Sequence, residues 1–275
     1  MTSRIAPVRL YDARRRRSVP LPRPSAGPVV VSAVSTEAAA LTFDEARAAL
    51  IADTLCRVLA WKGYDDVRRS EPAPVTPWGE NGGCPAGAAH RVCVHVTATE
   101  GDESTAQPCH MLVNLVQRAR FCRHLAHDWH RERRPPKLAE LVGLGVSIED
   151  LELGFLLAGH YRNPRKVNCS DLHGGVVFRD AHVVRRRWGN HLRALAPLPD
   201  IRLHREAAEL LSPEGRDVLE AFDAAISDNM NAPRAMPLLY RALRLGELPR
   251  ADRAVLAAVT LALVPALAAP AMSGT

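Results

Sequence analysis

The sequence is short of several things, and each shortage closes off a class of protein. Only 5% of the 275 residues are aromatic, lysine is scarce, and basic charge is carried almost wholly by arginine. Six cysteines (Cys56, Cys84, Cys93, Cys109, Cys122 and Cys169) lack the spacing of a disulfide framework. The first twenty residues hold Arg14 to Arg17 but no apolar core, so no secretory signal is read there. The expectation is a cytoplasmic protein with reduced thiols. The one long apolar run, Ala254 to Met272, is rich in alanine and interrupted by Pro265 and Pro270. It predicts a buried terminal helix, so no membrane partner is expected. No internal repeat is visible.

What is present is ordinary for a globular chain: 47% hydrophobic and 24% charged residues, over a length that allows a large core and more than one domain. A net charge of +6 and a pI near 9.3 permit an acidic partner such as RNA. Net charge speaks only to non-specific association, so it selects no partner by itself.

The stretch from Val29 to Val67 organises the chain. Val29-Val30-Val31 is a β-branched run suited to a buried parallel strand. Ser32 to Ala40 reads as a loop. From Phe43 to Leu59, apolar residues recur at three- and four-residue intervals, as on a helix face. Thr42 and Glu45 make a Thr-x-x-Glu capping box at its start, and Gly63 closes it. A loop feeding a helix after a strand is where doubly wound folds bind phosphates. This loop has no glycine, and Glu37 and Asp44 stand at its ends. It would repel phosphate.

Elsewhere, Val8 to Tyr11 and His90 to Thr97 read as strands, with the arginine run Arg14 to Arg17 as a basic turn. Four arginines in a row suit a phosphate backbone, but such a run is more often a solvated hairpin tip. Pro108 to Trp129 has helical spacing. From Leu138 onward only helices are predicted: a short one to Val142, then Ser147 to Tyr161 with a Ser-x-x-Asp cap at Ser147 and Asp150. Phe178 to Ala196 follows, very basic through Arg179, Arg185, Arg186, Arg187 and Arg193. Ser212 to Ser227, Pro233 to Leu245 and Ala251 to Leu267 complete the set.

Leu151 to Pro164 (Leu-Glu-Leu-Gly-Phe-Leu-Leu-Ala-Gly-His-Tyr-Arg-Asn-Pro) resembles a helix of the cysteinyl-tRNA synthetase family and of the related mycothiol cysteine ligases. Further blocks fall in that family's order. They are Val8 to Asp12, Ala46-Arg47 through Asp53, Gly63-Tyr64, Pro77-Trp78-Gly79, His90 to Cys93, and Phe222 to Ala235. The resemblance implies an α/β fold: a reduced doubly wound parallel sheet, the Rossmann core of class I synthetases, over residues 1–137. A helical connector (138–205) and a C-terminal helical bundle (206–275) would follow.

The departures from the family bear on chemistry. Its His-Ile-Gly-His, which stabilises charge on ATP phosphates, becomes Thr42-Phe43-Asp44-Glu45, making Thr42 and Glu45 candidate substrate-binding residues. Two acids there reverse the electrostatics, because like charges a few Å apart repel by about 1 kcal/mol even in bulk water. The Lys-Met-Ser-Lys-Ser loop has no counterpart beyond Arg131 to Lys137, where Arg133 or Lys137 would have to substitute. ATP is therefore not an expected cofactor. The family's zinc ligands, two Cys, a His and a Glu, map onto Ser32 or Ala33, Cys93, Cys109 and Val113. Cys93, Cys109 and His110 are the candidate metal ligands, with Cys84 or His90 completing a zinc site. A Cys in a strand and a Cys at a helix start are more often small apolar fillers than ligands.

Two functions follow as the leading expectations, beside a third, a purely structural subunit that stabilises a larger assembly through its helical half. One is a divergent synthetase-like protein without ATP-dependent adenylation, a pseudoenzyme binding tRNA, a small aminoacyl ligand or a protein partner, but not DNA. Its RNA-binding residues would be Arg185, Arg186 and Arg187. The other is a cysteine-utilising ligase or transferase with Cys109 and His127 as catalytic residues, the thiol activated at a helix start.

Overall fold

The computed structural model describes residues 5–13, 15–24, 28–33, 42–70, 92–97, 111–114, 120–121, 136–143, 145–157, 160, 166–167 and 176–268. The chain opens with a hairpin, β1 (Arg9–Asp12) and β2 (Arg17–Pro20), paired antiparallel from Arg9↔Pro20 to Asp12↔Arg17. Next come β3 (Val29–Ala33), the 19-residue helix α1 (Phe43–Trp61) and β4 (Val67–Ser70). β5 (Val92–Thr97) and β6 (Met111–Asn114) complete a four-stranded sheet in the order β4-β3-β5-β6, with every pair parallel. The β-branched run lands in its centre, with Val29 opposite both Val67 and Val92. Two short strands, β7 (Arg120–Phe121) and β8 (Lys166–Val167), form a separate pair.

The rest is helical: α2 (Leu138–Gly143), α3 (Ile148–Leu157), α4 (Val176–Leu195), α5 (His204–Leu210), α6 (Pro213–Ser227), α7 (Ala232–Leu245) and α8 (Arg250–Leu263). A 3-10 turn at Pro265–Leu267 follows. Ser212 caps α6 by accepting from the Gly215 amide at 3.2 Å, and the Asp150 amide donates to Ser147 Oγ at 3.1 Å. Among the described residues no helix is long and apolar enough to cross a membrane.

α1 joins the two halves. It packs on β3, β4 and β5, and also on α3 and α8. A helix covered on two sides must be apolar on more than one face, which is why Ala48, Ile51, Ala52, Leu55, Val58 and Leu59 are all buried. They belong to a core that runs without a break into the helical half, through Leu153, Trp188, Phe222, Leu239 and Leu256. A smaller cluster (Phe43, Leu141, Val146, Leu151 and Phe155) closes the start of α1, with the two phenylalanine rings edge-on at 4.9 Å.

The expectation of a doubly wound parallel sheet, a class I synthetase-like Rossmann core, is overturned. Most described residues are helical, and every sheet is small: two have two strands each, the third four. Doubly wound folds need helices on both faces of the sheet, and α1 is the described helix that packs against this one. The apolar surface of the later helices is buried on α1 and on one another rather than on a second sheet face. Local expectations also change. Met111–Asn114, predicted helical, is drawn into the sheet by pairing with Val94–Thr97. The helices-only reading after Leu138 misses β8, and α5 had no counterpart in the sequence reading.

Candidate functional site

Thr42 and Glu45, the candidate substrate residues, are spent on each other. The Thr42 amide and hydroxyl donate to Glu45 Oε2 at 2.7 and 2.8 Å, and the Glu45 amide donates back to Thr42 Oγ1 at 3.3 Å. The neighbouring amides are occupied as well: Phe43 N donates to Pro136 O and Ala46 N to Thr42 O, both at 2.9 Å. A helix start attracts anions only through unsatisfied amides and its dipole. Here the amides have acceptors and the first turn carries two carboxylates, Asp44 and Glu45. Lys137 lies opposite Thr42 in an isolated antiparallel bridge, and its own amide donates to Glu140 Oε2 at 2.7 Å.

The three candidate RNA-binding arginines separate on α4. Arg185 shares the buried face with Ala181, Trp188 and Leu192 and is 2% exposed. Its Nε lies 2.7 Å from Asp150 Oδ1, while His182 Nδ1 lies 3.2 Å from Asp150 Oδ2. Asp150 thus ties α3 to α4 and removes Arg185 from any surface. Arg186 and Arg187 are exposed, as is Arg193 two turns on from Arg186, whose guanidinium donates to Asn190 Oδ1 at 2.6 Å. Among the described residues no carboxylate pairs with Arg186 or Arg187. Two adjacent, unpaired guanidinium groups on a solvent face can bind anions, phosphate oxygens above all.

A second charged group was not foreseen. Lys62, at the C-cap of α1, is fully buried; its ammonium is ion-paired with Asp223 and donates to Ser227 Oγ at 2.6 Å. Asp223 Oδ2 accepts from the Ala6 amide at 3.1 Å, and Arg23 donates to the Lys62 carbonyl at 3.1 Å. His204, 1% exposed, sets its ring edge-on to Trp61 at 4.9 Å. Neither His204 nitrogen has a hydrogen-bond partner among the described residues, nor does Trp61 Nε1. Lys62, Asp223, Ser227 and His204 are all buried in the described structure.

Burial holds the His204 imidazole below its ordinary value of 6.5, against the pull of Asp223; Lys62 adds to the depression and Glu220 opposes it. A base whose folded pKa is depressed is neutral in the fold but takes up a proton when unfolded, so stability rises with pH between the two values. Stability should therefore be level above about pH 6.5 and fall on acidification below it, by at most about 1.4 kcal/mol per pH unit from this residue. Urea midpoints between about pH 5 and pH 7.5 test this. His204→Phe should flatten the acid side of the profile, and an unchanged slope in that variant would assign the effect elsewhere.

The thiol sites are less defined. Cys84, His90, Cys109, His110, His127 and Arg133 lie outside the described residues, and Cys93 and Arg179 are placed only by backbone, Cys93 opposite Val30 in the sheet. Among the described residues no group of three His, Cys, Asp or Glu side chains is placed to hold a metal ion. Cys56 is half-buried on α1. Burial pushes its thiol up to about 11, with Asp53 adding to the rise and Arg69 and Arg57 opposing it. A thiol reacts as its thiolate, and a raised pKa lowers the thiolate fraction at neutral pH.

The Lys62–Asp223 pair carries no short-range sequence signal. For Arg185, helical phase was the missed signal, since it falls in register with Ala181, Trp188 and Leu192. No protein-family model matches the chain, and no curated protein matches it.

Proposed function

We propose that the chain is a divergent relative of the cysteinyl-tRNA synthetases that does not adenylate and that binds tRNA phosphates through the solvent face of α4. The observation that carries this reading is the exposed pair Arg186 and Arg187, which no carboxylate meets among the described residues, with Arg193 two turns on from Arg186. Guanidinium groups left without carboxylates gain most from phosphates, which release counterions as they are neutralised. The motif blocks from Val8 to Ala235 supply the identity of the RNA. The loss of adenylation is supported by the start of α1, where a capping box and two carboxylates stand in place of a phosphate site. The reading needs no nucleotide-binding sheet, because ATP takes no part in it.

The test is anisotropy of labelled tRNA against the full chain over a range of salt. Arg186→Gln with Arg187→Gln should lower the magnitude of the slope of log K against log salt by about 2, one for each phosphate that is no longer neutralised. Absence of tRNA binding by the wild-type chain at low salt would sink the RNA half of the reading. ATP–pyrophosphate exchange with cysteine should stay at background, and exchange above it would sink the other half.

A further inference from the structure

The arginines of α4 have a continuation on two other elements. α4 and α7 touch where the rings of Trp188 and His191 meet Tyr240, at centroid distances of 5.2 and 5.8 Å. Arg187 adjoins Trp188 and lies one turn before His191; Arg244 lies one turn beyond Tyr240. Positions one turn apart share a helix face, so Arg187 and Arg244 each lie one turn from a residue of the same ring contact. From Arg244 the solvent face of α7 continues through Arg241 to Arg234, all three exposed, while Ala232, Ala235, Met236, Leu239 and Leu243 fill the buried face. Ten residues of helix set Arg234 and Arg244 about 15 Å apart along the axis.

The N-terminal end of α7 is bonded to the hairpin. The Asn229 amide donates to the Arg9 carbonyl at 2.9 Å, and Ser18 Oγ lies 3.3 Å from Asn229 Oδ1. At the hairpin tip Arg15, Arg16 and Arg17 are all exposed, and Arg15 has Asp12 at 3.5 Å. Among the described residues no carboxylate pairs with Arg16, Arg17 or the three arginines of α7. Two exposed acids, Asp228 and Glu247, flank α7 at its ends.

We infer that α4, α7 and the β1–β2 hairpin form one arginine track, along which an RNA backbone lies lengthwise with several consecutive phosphates engaged. This rests on the reading that α4 binds RNA, and it extends that reading from one point of contact to a path. An arginine line of this length matches a chain of phosphates better than a single anion. It also places the hairpin run, Arg15 to Arg17, at the far end of the same path.

The test compares three full-length variants of unchanged melting temperature by anisotropy, with tRNA, a single-stranded RNA of about 20 nucleotides and a DNA of the same sequence as probes. Substituting Arg234, Arg241 and Arg244 together by Gln should lower the magnitude of the salt slope by about 3, and Arg16→Gln with Arg17→Gln by about 2. Photocrosslinks from the RNA should fall within 232–245. A wild-type slope in the α7 variant, with the reduction confined to Arg186→Gln and Arg187→Gln, would overturn the track and leave the proposed function standing. No RNA binding by the wild-type chain would remove both. DNA bound equally well, with the same reductions, would overturn RNA as the ligand. Binding to phosphatidylserine vesicles in place of RNA would overturn a nucleic-acid track altogether.

Discussion

Replacing Asp223 with alanine is expected to destabilise the chain by about 3–5 kcal/mol, because it leaves the Lys62 ammonium buried without a counter-charge. The loss should not be mistaken for the worth of the ion pair. Burial draws the Lys62 ammonium below its usual range even though Asp223 pulls it the other way, so desolvation is the larger of the two effects. A well-packed apolar pair in the same place should therefore do no worse. Lys62→Met combined with Asp223→Leu should recover most of the stability that either change alone removes, and denaturant midpoints of the three variants measure the coupling. A loss under about 1 kcal/mol in Asp223→Ala would show that the lysine reaches water in solution.

The second large effect concerns Arg185. Arg185→Ala should cost about 3 kcal/mol, since Asp150 would keep only His182 and the fastening of α3 to α4 would weaken. The same variant should leave the salt dependence of RNA binding unchanged. Arg186→Gln with Arg187→Gln should do the reverse, altering the salt slope while shifting stability by no more than about 0.5 kcal/mol. One denaturation series and one binding series together separate three consecutive arginines by role. A binding defect in Arg185→Ala at full stability would return that residue to the surface.

What could be read from residues alone was whatever local rules govern. The capping box at Thr42 and Glu45, the Ser147 cap, the central strand at Val29–Val31 and the glycine that ends α1 all rest on neighbours within a few positions, and all appear as expected. Gly63 takes a φ of 75°, which suits glycine. Met111–Asn114 went the other way, because its apolar spacing over four residues fits a strand or a helix and pairing with β5 decides. The reading of a doubly wound sheet failed on layers rather than strands. Parallel pairing is local enough to guess, but which surfaces cover a sheet depends on how distant helices pack. Lys62 carries no local signal of burial, because its partner Asp223 lies 161 positions away. Within the arginine run, helical phase alone distinguishes Arg185 from its two neighbours. The sequence placed the three arginines on one helix, and packing separated the buried Arg185 from the exposed Arg186 and Arg187.

The contacts that pin the first sixty residues also set a timetable for synthesis. Ala6 bonds to Asp223, Ser18 to Asn229, Arg57 to the Leu263 carbonyl and Lys62 to Asp223. On the ribosome the Lys62 ammonium has no native partner until 161 further residues have been added, a wait of about 8–32 s at ordinary elongation rates. α1 and the early strands cover one another as they emerge, but the other apolar face of α1 stays open until α3 and α8, which pack on it, have been made. The Arg57 bond to the Leu263 carbonyl spans 206 positions, so the packing around α1 is complete only once α8 has been made.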